Sequence, residues 1–555
     1  MKRIIALCLT LVLMFTLLAA PIPAHTEAEA DPYYIEGGAG TTLTFWMPMN
    51  YYQSLYFQDM NEHPFFKFME EKTGVHINFI HPAEEQAEQQ LTLMVSSGNY
   101  YDLLMDAWYP GGPEAAVDDG AFLDLALYLD EYMPNYKAAA TNADGSFSDW
   151  EWKPEEKELF QIKPEEPFMP VFTTVKGYVW CVGQVWNSQL EADSGPVIRK
   201  DWLDEAGLAM PETIDELEAV LEAFKQRGVI PMTIEPLGYS TSYFSNALTS
   251  AWNLDGMYAS LEPDGKTVSD HLFIQPAFRD YLAKLADWYA KGYIDPDFMN
   301  ADEDTNASKM LSDELGVWMN FYGDPSYYAE YYVGDQAFNM EPMPLPRLSK
   351  DQTLRWHQKY VVEPYTWITV SPTCKTPEIA AQWLDKWYLP ESILRLSYGI
   401  EGETYEMADG VPMFLPEFFT DEDVPADAAV QTKLWLSSPG YYSYRSQLLQ
   451  YNSGDSSTLS PMNIASQVWS QNAEPTMRVP YTLFSDDDWG EMEEYIIEVY
   501  TYAEPMILKF ITGQESLDKF DEFVQTCKDL GIEEATAMWQ DAVNVALELQ
   551  EAAAE

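Results

Sequence analysis

Around Ile198–Phe224 the apolar positions fall at helical spacing. Leu217, Val220, Leu221 and Phe224 stand at i, i+3, i+4 and i+7, and Glu218, Glu222 and Lys225 take the polar face. Thr213 with Glu216 has the spacing of a capping box, which predicts that the helix starts there. Arg199–Ala206 predicts a shorter helix closed by Gly207. Nearer the N-terminus, apolar runs of strand length alternate with helical patterns. Strands are predicted over Thr42–Met47, Val75–Phe79 and Leu103–Met105. Between them lie a helix carrying Phe65, Phe66, Phe68 and Met69, stopped at Gly74, and another over Glu84–Ser97, stopped at Gly98. Strand–helix–strand order predicts a parallel sheet with functional groups at the carboxyl ends of its strands.

The pattern continues with a strand over Ile230–Ile234, a helix over Ala277–Ala290 and strands over Gly316–Met319 and Glu363–Val370. A further helix is expected to be capped by Thr376, with Pro377 at its first position and an apolar face of Ile379, Trp383, Leu384 and Trp387. The segment Asn142–Pro170, rich in Glu, Lys, Pro and Trp, reads as an irregular surface excursion.

Several blocks in a fixed order carry more than periodicity. They are Gly120–Leu125 (GAFLDL), Ile198–Phe224 (IRKDWLDEAGLAMPETIDELEAVLEAF), Lys291–Phe298 (KGYIDPDF), Tyr398–Glu406 (YGIEGETYE) with Asp409-Gly410 behind it, and Lys509–Gly513 (KFITG). Leu530-Gly531 and Gln540-Asp541-Ala542 close the series. From about residue 40 to about residue 545 the chain resembles extracellular solute-binding proteins of family 1, the receptors of ABC importers, in their large lipoprotein-type carbohydrate-uptake branch. The resemblance implies a type II periplasmic-binding-protein-like α/β fold: two lobes joined by crossing hinge strands, with the ligand in the interlobe cleft. It also implies that Lys309–Leu311 belongs with Gly316–Met319 to one buried strand. On this reading residues 1–30 are a signal peptide, 31–160 plus 307–372 form lobe 1, and 161–306 plus 373–555 form lobe 2. Two departures stand out. Tyr101 precedes Asp102 where the family commonly has proline, and Cys8 follows Leu7 where a lipoprotein would carry a small residue, so a lipid anchor is not supported.

Composition narrows the partners. With 90 acidic and 31 basic residues the chain carries a formal charge of −59, which excludes nucleic acid and repels anionic lipid. Lys2 and Arg3 before the apolar run Ile4–Ala20 read as a secretory signal, with cleavage after Ala24 or Ala30, so the protein is expected outside the cell or at its surface. Cys181, Cys374 and Cys527 are too far apart to suggest a disulfide framework and read as buried thiols.

The resemblance implies capture of a small solute, an oligosaccharide or modified sugar, by a monomer that hands it to ABC permease subunits. No cofactor and no metal is expected. A sugar site needs flat aromatic faces and polar acceptors, and these are expected where strands end at the cleft. Trp46, Asn50, Tyr51 and Tyr52 follow the first strand, and Asp106, Trp108 and Tyr109 the third. Trp318, Asn320 and Tyr322 follow the Gly316–Met319 strand, and Tyr365 and Trp367 lie on the last. Tyr239 and Tyr243 follow the Ile230–Ile234 strand. Asp102 is expected to be structural.

Three alternatives stay open: a sensor that reports solute to a membrane kinase, a receptor for a peptide or other non-sugar solute, and a carbohydrate-active enzyme. No zincin, nucleophile-elbow or phosphate-loop motif occurs. The Asp295-Pro296-Asp297 cluster offers oxygen ligands for calcium but lacks EF-hand spacing.

Overall fold

A computed structural model describes residues 31–554 apart from 50, 142–151, 161–168, 187–191, 193, 235–246, 255–259, 301–302, 322–331, 335–337, 357–365, 421–428, 435–439, 452–453 and 476–485. The proposed signal segment therefore lies outside the described residues.

Two sheets organise the chain. The first runs β13-β4-β10-β3-β1-β2, built from β1 (Thr42–Trp46), β2 (His76–Ile80), β3 (Leu103–Met105), β4 (Val182–Trp186), β10 (Trp367–Val370) and β13 (Gly440–Tyr442). All its strands are mutually parallel except β10, which is antiparallel to β3 and β4. The second runs β6-β7-β5-β8, from β5 (Ser194–Arg199), β6 (Ile230–Met232), β7 (Leu315–Phe321) and β8 (Met340–Pro342). Here β5 is antiparallel to β7 and β8, and β6 is parallel to β7. Two small pairs complete the set: β11 (Tyr405–Ala408) with β12 (Val411–Phe414), and β9 (Leu354–Trp356) with β14 (Ala473–Pro475). Among the described residues no helix is long and apolar enough to cross a membrane.

Each sheet has its own core. Around the first, Phe45, Phe65, Phe66, Trp383 and Trp387 pack with Leu103, Leu104 and Ile368. Around the second, Leu217, Val220, Leu221 and Phe224 meet Val317, Met319, Phe278 and Phe510. The helical stripe read from the sequence thus faces a core, as its spacing requires.

These cores redraw the expected division of the chain. Residues 315–321, assigned to lobe 1 from sequence, pair with β5, and Val317 and Met319 enter the second core. Strand β4 and the helix Pro377–Asp385, assigned to lobe 2, belong to the first sheet and core. An apolar strand reads alike in either sheet, and only its partners decide. The chain leaves the first sheet after Trp186 for the second at Ser194, is back in the first at Trp367, and after Tyr442 supplies Val499–Ile511 to the second core.

Local detail follows the sequence closely with four exceptions. Thr213 caps the helix Ile214–Arg227 by accepting from the Glu216 amide (3.2 Å), but the Glu216 carboxylate accepts from the Glu212 amide, one residue before the N-cap (2.9 Å). Lys309–Leu311, read as part of a strand, closes the helix Glu303–Leu311. Thr376 makes no side-chain cap bond. The excursion is not wholly irregular: Pro154–Leu159 is helical, and Trp152 and Phe160 pack with Leu448 and Met462. Glu156 in that helix pairs with Arg445 at 2.9 and 3.0 Å, both side chains almost wholly buried.

The Arg-Lys-Asp-Trp block is scaffold. Arg199 is fully buried and donates to Asp201 (2.9 and 2.6 Å) and Asp313 (2.6 Å). Its guanidinium lies 4.1 Å from the Trp202 ring centroid and 4.6 Å from that of Phe338.

Candidate functional site

The chain ties one end of the first sheet to the second. Strand β4 leaves the first sheet at Trp186 and β5 enters the second at Ser194, so the connection 187–193 holds these ends within about 30 Å. The antiparallel β10 begins at Trp367, on the same edge as the carboxyl ends of β3 and β4. On one flank the long helix Asp486–Thr512 of the second lobe lies against Gly112–Asp118 of the first.

At this edge β3 is pinned from behind. Asp102 accepts from the Thr44 amide (2.8 Å) and the Thr44 hydroxyl (2.7 Å), and its carbonyl accepts from the Ser371 amide (2.9 Å). The structural role expected for Asp102 is what the geometry gives. Beyond Met105, Asp106 turns into the left-handed region at φ 51°, uncommon without glycine, and starts the loop that carries Trp108 and Tyr109. Gly111 (φ 93°) and Gly112 (φ 89°) end that loop at the helix Gly112–Asp118, where a side chain would be strained.

Asp106 and Trp367 bond reciprocally. The Asp106 amide donates to the Trp367 carbonyl (2.9 Å), and the Trp367 amide donates to Asp106 Oδ1 (3.0 Å). The Trp367 indole N–H donates to the Ala107 carbonyl (3.2 Å). Beneath lies Trp180, fully buried, 5.5 Å from the Trp367 ring and 6.4 Å from that of Trp108 in edge-to-face geometry. Trp108 and Trp367 are themselves 6.3 Å apart, edge to face and half-buried. Phe122 stacks on Trp180, and Tyr109 packs on Phe122 while its hydroxyl donates to Asp119 (2.7 Å). The result is a firm aromatic platform with two indoles reaching solvent.

Asp106 is exposed by surface area yet ringed by protein, as a group in a recess is. That surrounding protein raises its carboxyl from the ordinary 3.8 to about 7, and the Trp367 amide opposes the shift. Water still reaches the carboxyl, so the shift is upward but smaller than full burial would give.

Of the residues expected at the site, Asp106, Trp108, Tyr109 and Trp367 come together at this one edge. Trp46 and Trp318 are corrected. Trp46, 2% exposed, sits in the first core, its indole N–H toward Gln90 (3.5 Å). Trp318, 1% exposed, packs with Trp469, Met310 and Val197 on the side of β7 away from the second core. Strand alternation turned both inward, and a side chain so covered touches no ligand. Tyr51 and Tyr52 begin the helix Tyr51–Tyr56 and Asn320 lies in β7 opposite Gly195; their side chains fall outside what is described. Asn50, Tyr239, Tyr243, Tyr322 and Tyr365 lie outside the described residues. Trp180 was missed from sequence, because within Tyr178–Val182 it reads only as one more apolar residue entering a strand.

The acidic cluster has a protein partner. Asp295 accepts from Lys309 Nζ (2.6 Å) and from the Asp297 amide (2.9 Å), so its carboxylate is neutralised by lysine. Among the described residues no group of three or more His, Cys, Asp or Glu is placed to hold a metal. Cys181, Cys374 and Cys527 are free and buried.

Residues 49–392 match the bacterial extracellular solute-binding protein family. The chain is 24% identical over 370 residues to the fructooligosaccharide ABC transporter substrate-binding protein FusA of Streptococcus pneumoniae, covering 62% of this chain and 61% of that one. It is 23% identical over 355 residues to a carbohydrate ABC transporter substrate-binding protein of the same species, covering 62% of each. The chain thus spans just under two thirds of the length of the curated relatives it matches. Among solved structures, an HMO-binding ABC-transporter-associated solute-binding protein from Bifidobacterium longum infantis superposes with TM-score 0.68 at 17% identity, over 91% of this chain and 99% of that one. The S. pneumoniae protein FusA in complex with kestose gives 0.67 at 18% identity, over 93% and 100%. These neighbours share the two-lobed fold, and the chain belongs to the bacterial extracellular solute-binding protein family.

Proposed function

We propose that this protein captures an oligosaccharide or modified sugar between its lobes outside the cell and delivers it to a membrane ABC permease, without chemical change to the ligand. The observation that carries this reading is the Trp108–Trp367 pair, braced on Trp180 at the end of the first sheet from which the chain runs on to the second. Indole faces suit the apolar C–H side of a pyranose or furanose ring, and a platform fixed before binding loses little entropy on capture. A ligand touching both lobes favours the closed state by its extra contacts there, which gives a permease a state to recognise. The names of the relatives, for fructooligosaccharide, HMO and carbohydrate, support the same class. With a charge of −59 the long-range field opposes polyanionic glycans and favours neutral or amino sugars.

A thermal-shift screen over neutral oligosaccharides, peptides and polyamines tests this. A ligand at a hundred times its Kd stabilises the folded state by about 2.7 kcal/mol, enough to raise the midpoint by some degrees. The expected result is a rise with one family of oligosaccharides. A rise with peptide or polyamine and with no sugar would overturn the reading.

A further inference from the structure

We propose that Asp106 is a positioning residue: its side chain fastens the start of strand β10 to the end of β3 and so sets the spacing of Trp108 and Trp367. The ligand part of this inference rests on the oligosaccharide reading above; the strand part stands alone.

The argument begins in the ladder. Strands β3 and β10 pair antiparallel, with Ile368 opposite Met105, and the next position toward the cleft edge brings Trp367 beside Asp106. At φ 51° the Asp106 backbone has left extended geometry, and its side-chain Oδ1, not a backbone carbonyl, receives the Trp367 amide at 3.0 Å. With the Asp106 amide bonded to the Trp367 carbonyl and the Trp367 indole bonded to the Ala107 carbonyl, three bonds close one small unit. That unit stands at the first residue of β10. It also holds the root of the loop bearing Trp108, so the two half-buried indoles are spaced through it.

An ionised carboxylate makes a shorter and stronger bond to an amide than a neutral carboxyl does. Because the carboxyl is raised toward neutrality, the clasp weakens as pH falls and the carboxylate takes up its proton. Among the described residues few other groups can blur this. Strands β3 (Leu103–Met105) and β10 (Trp367–Val370) bring no charged side chain, and Tyr109 in the loop is tied to Asp119. From the β4 side the titratable group that feels Asp106 is the Cys181 thiol, which burial, with Asp106 adding, pushes far above its ordinary range, so it stays neutral.

Two variants separate carboxyl, charge and backbone strain. Asp106→Asn keeps an acceptor and tolerates the left-handed backbone, whereas Asp106→Gly suits that backbone and removes the acceptor. Hydrogen exchange of the Trp367 amide, corrected for intrinsic rate, is the ligand-free readout. Protection in Asp106→Asn should stay near wild type, and in Asp106→Gly should fall by roughly tenfold or more. As pH is lowered from 8 to 5 protection should fall in wild type and stay flat in Asp106→Asn. Affinity for the oligosaccharide found by the screen should follow the same pattern. Unchanged protection in Asp106→Gly, or a wild-type pH profile in Asp106→Asn, would overturn the proposal. If wild type bound no oligosaccharide the sugar reading would fail, and the exchange experiment would still decide the clasp.

Discussion

Arg445→Leu is expected to destabilise the fold by about 3–5 kcal/mol, because it leaves Glu156 charged and buried without its partner. Arg445 is 1% and Glu156 2% exposed; two of the guanidinium nitrogens hold the carboxylate, and a third donates to the Pro412 carbonyl. Burial works to raise the Glu156 carboxyl, yet the arginine prevails and holds it below its ordinary 4.5, so it is ionised in the fold. The pair joins three stretches far apart in sequence: the excursion helix Pro154–Leu159, the β11–β12 hairpin and the helix Tyr444–Tyr451. Urea denaturation should show the loss, and exchange should rise first over Trp152–Phe160. Combining Glu156→Leu with Arg445→Leu should recover most of it, since two apolar groups leave no charge to desolvate. A single Arg445→Leu variant as stable as wild type would show that the pair is not a brace.

The second large effect is a pH slope at His63. This residue caps the helix Pro64–Thr73: its Nδ1 accepts from the Phe65 amide at 3.1 Å, which fixes the neutral tautomer with the proton on Nε2. Phe57 and Phe66 enclose it, and burial lowers its pKa from 6.5 to about 3, with the backbone of Leu434 and Lys433 opposing only in part. The unfolded chain takes up a proton below about pH 6.5 and the folded one does not. The contribution is therefore fully present above pH 6.5 and is lost as pH falls toward 3, by about 1.4 kcal/mol per pH unit. His63→Asn keeps an acceptor for the Phe65 amide but cannot titrate. It should be less stable at pH 7.5 through lost ring packing, and the gap to wild type should shrink by about 2.5 kcal/mol by pH 4.5. Taking the difference between the two proteins cancels the titration of the many carboxylates they share. A gap constant with pH would place His63 elsewhere than in a neutral buried cap.

The elements were legible because their signals are local. Gly74 and Gly98 end helices in left-handed geometry, as their positions after apolar periodic runs predicted. Strands β1 to β3 fell within a residue or so of their expected ends for the same reason. Lobe membership was not legible, because Leu315–Phe321 has the composition of a buried strand whichever sheet receives it. The same limit explains the site. Trp46 and Trp318 sit on strands whose alternation turns them inward, a matter of register that an apolar run does not reveal. Trp108, in the loop after β3, and Trp367, at the first residue of β10, come together at the platform. Glu156 was hidden because one acidic residue among many in an irregular stretch gives no hint that an arginine some 290 positions away will bury it.

Calorimetric titration of wild type, Trp108→Ala and Trp367→Ala with the oligosaccharide that most raises the melting midpoint tests oligosaccharide capture on this platform most directly. Wild type should bind one equivalent, and each variant, with its circular dichroism unchanged, should lose at least about tenfold in affinity, since a central aromatic anchor carries a large share of binding energy. Equal affinity in all three proteins would contradict the account.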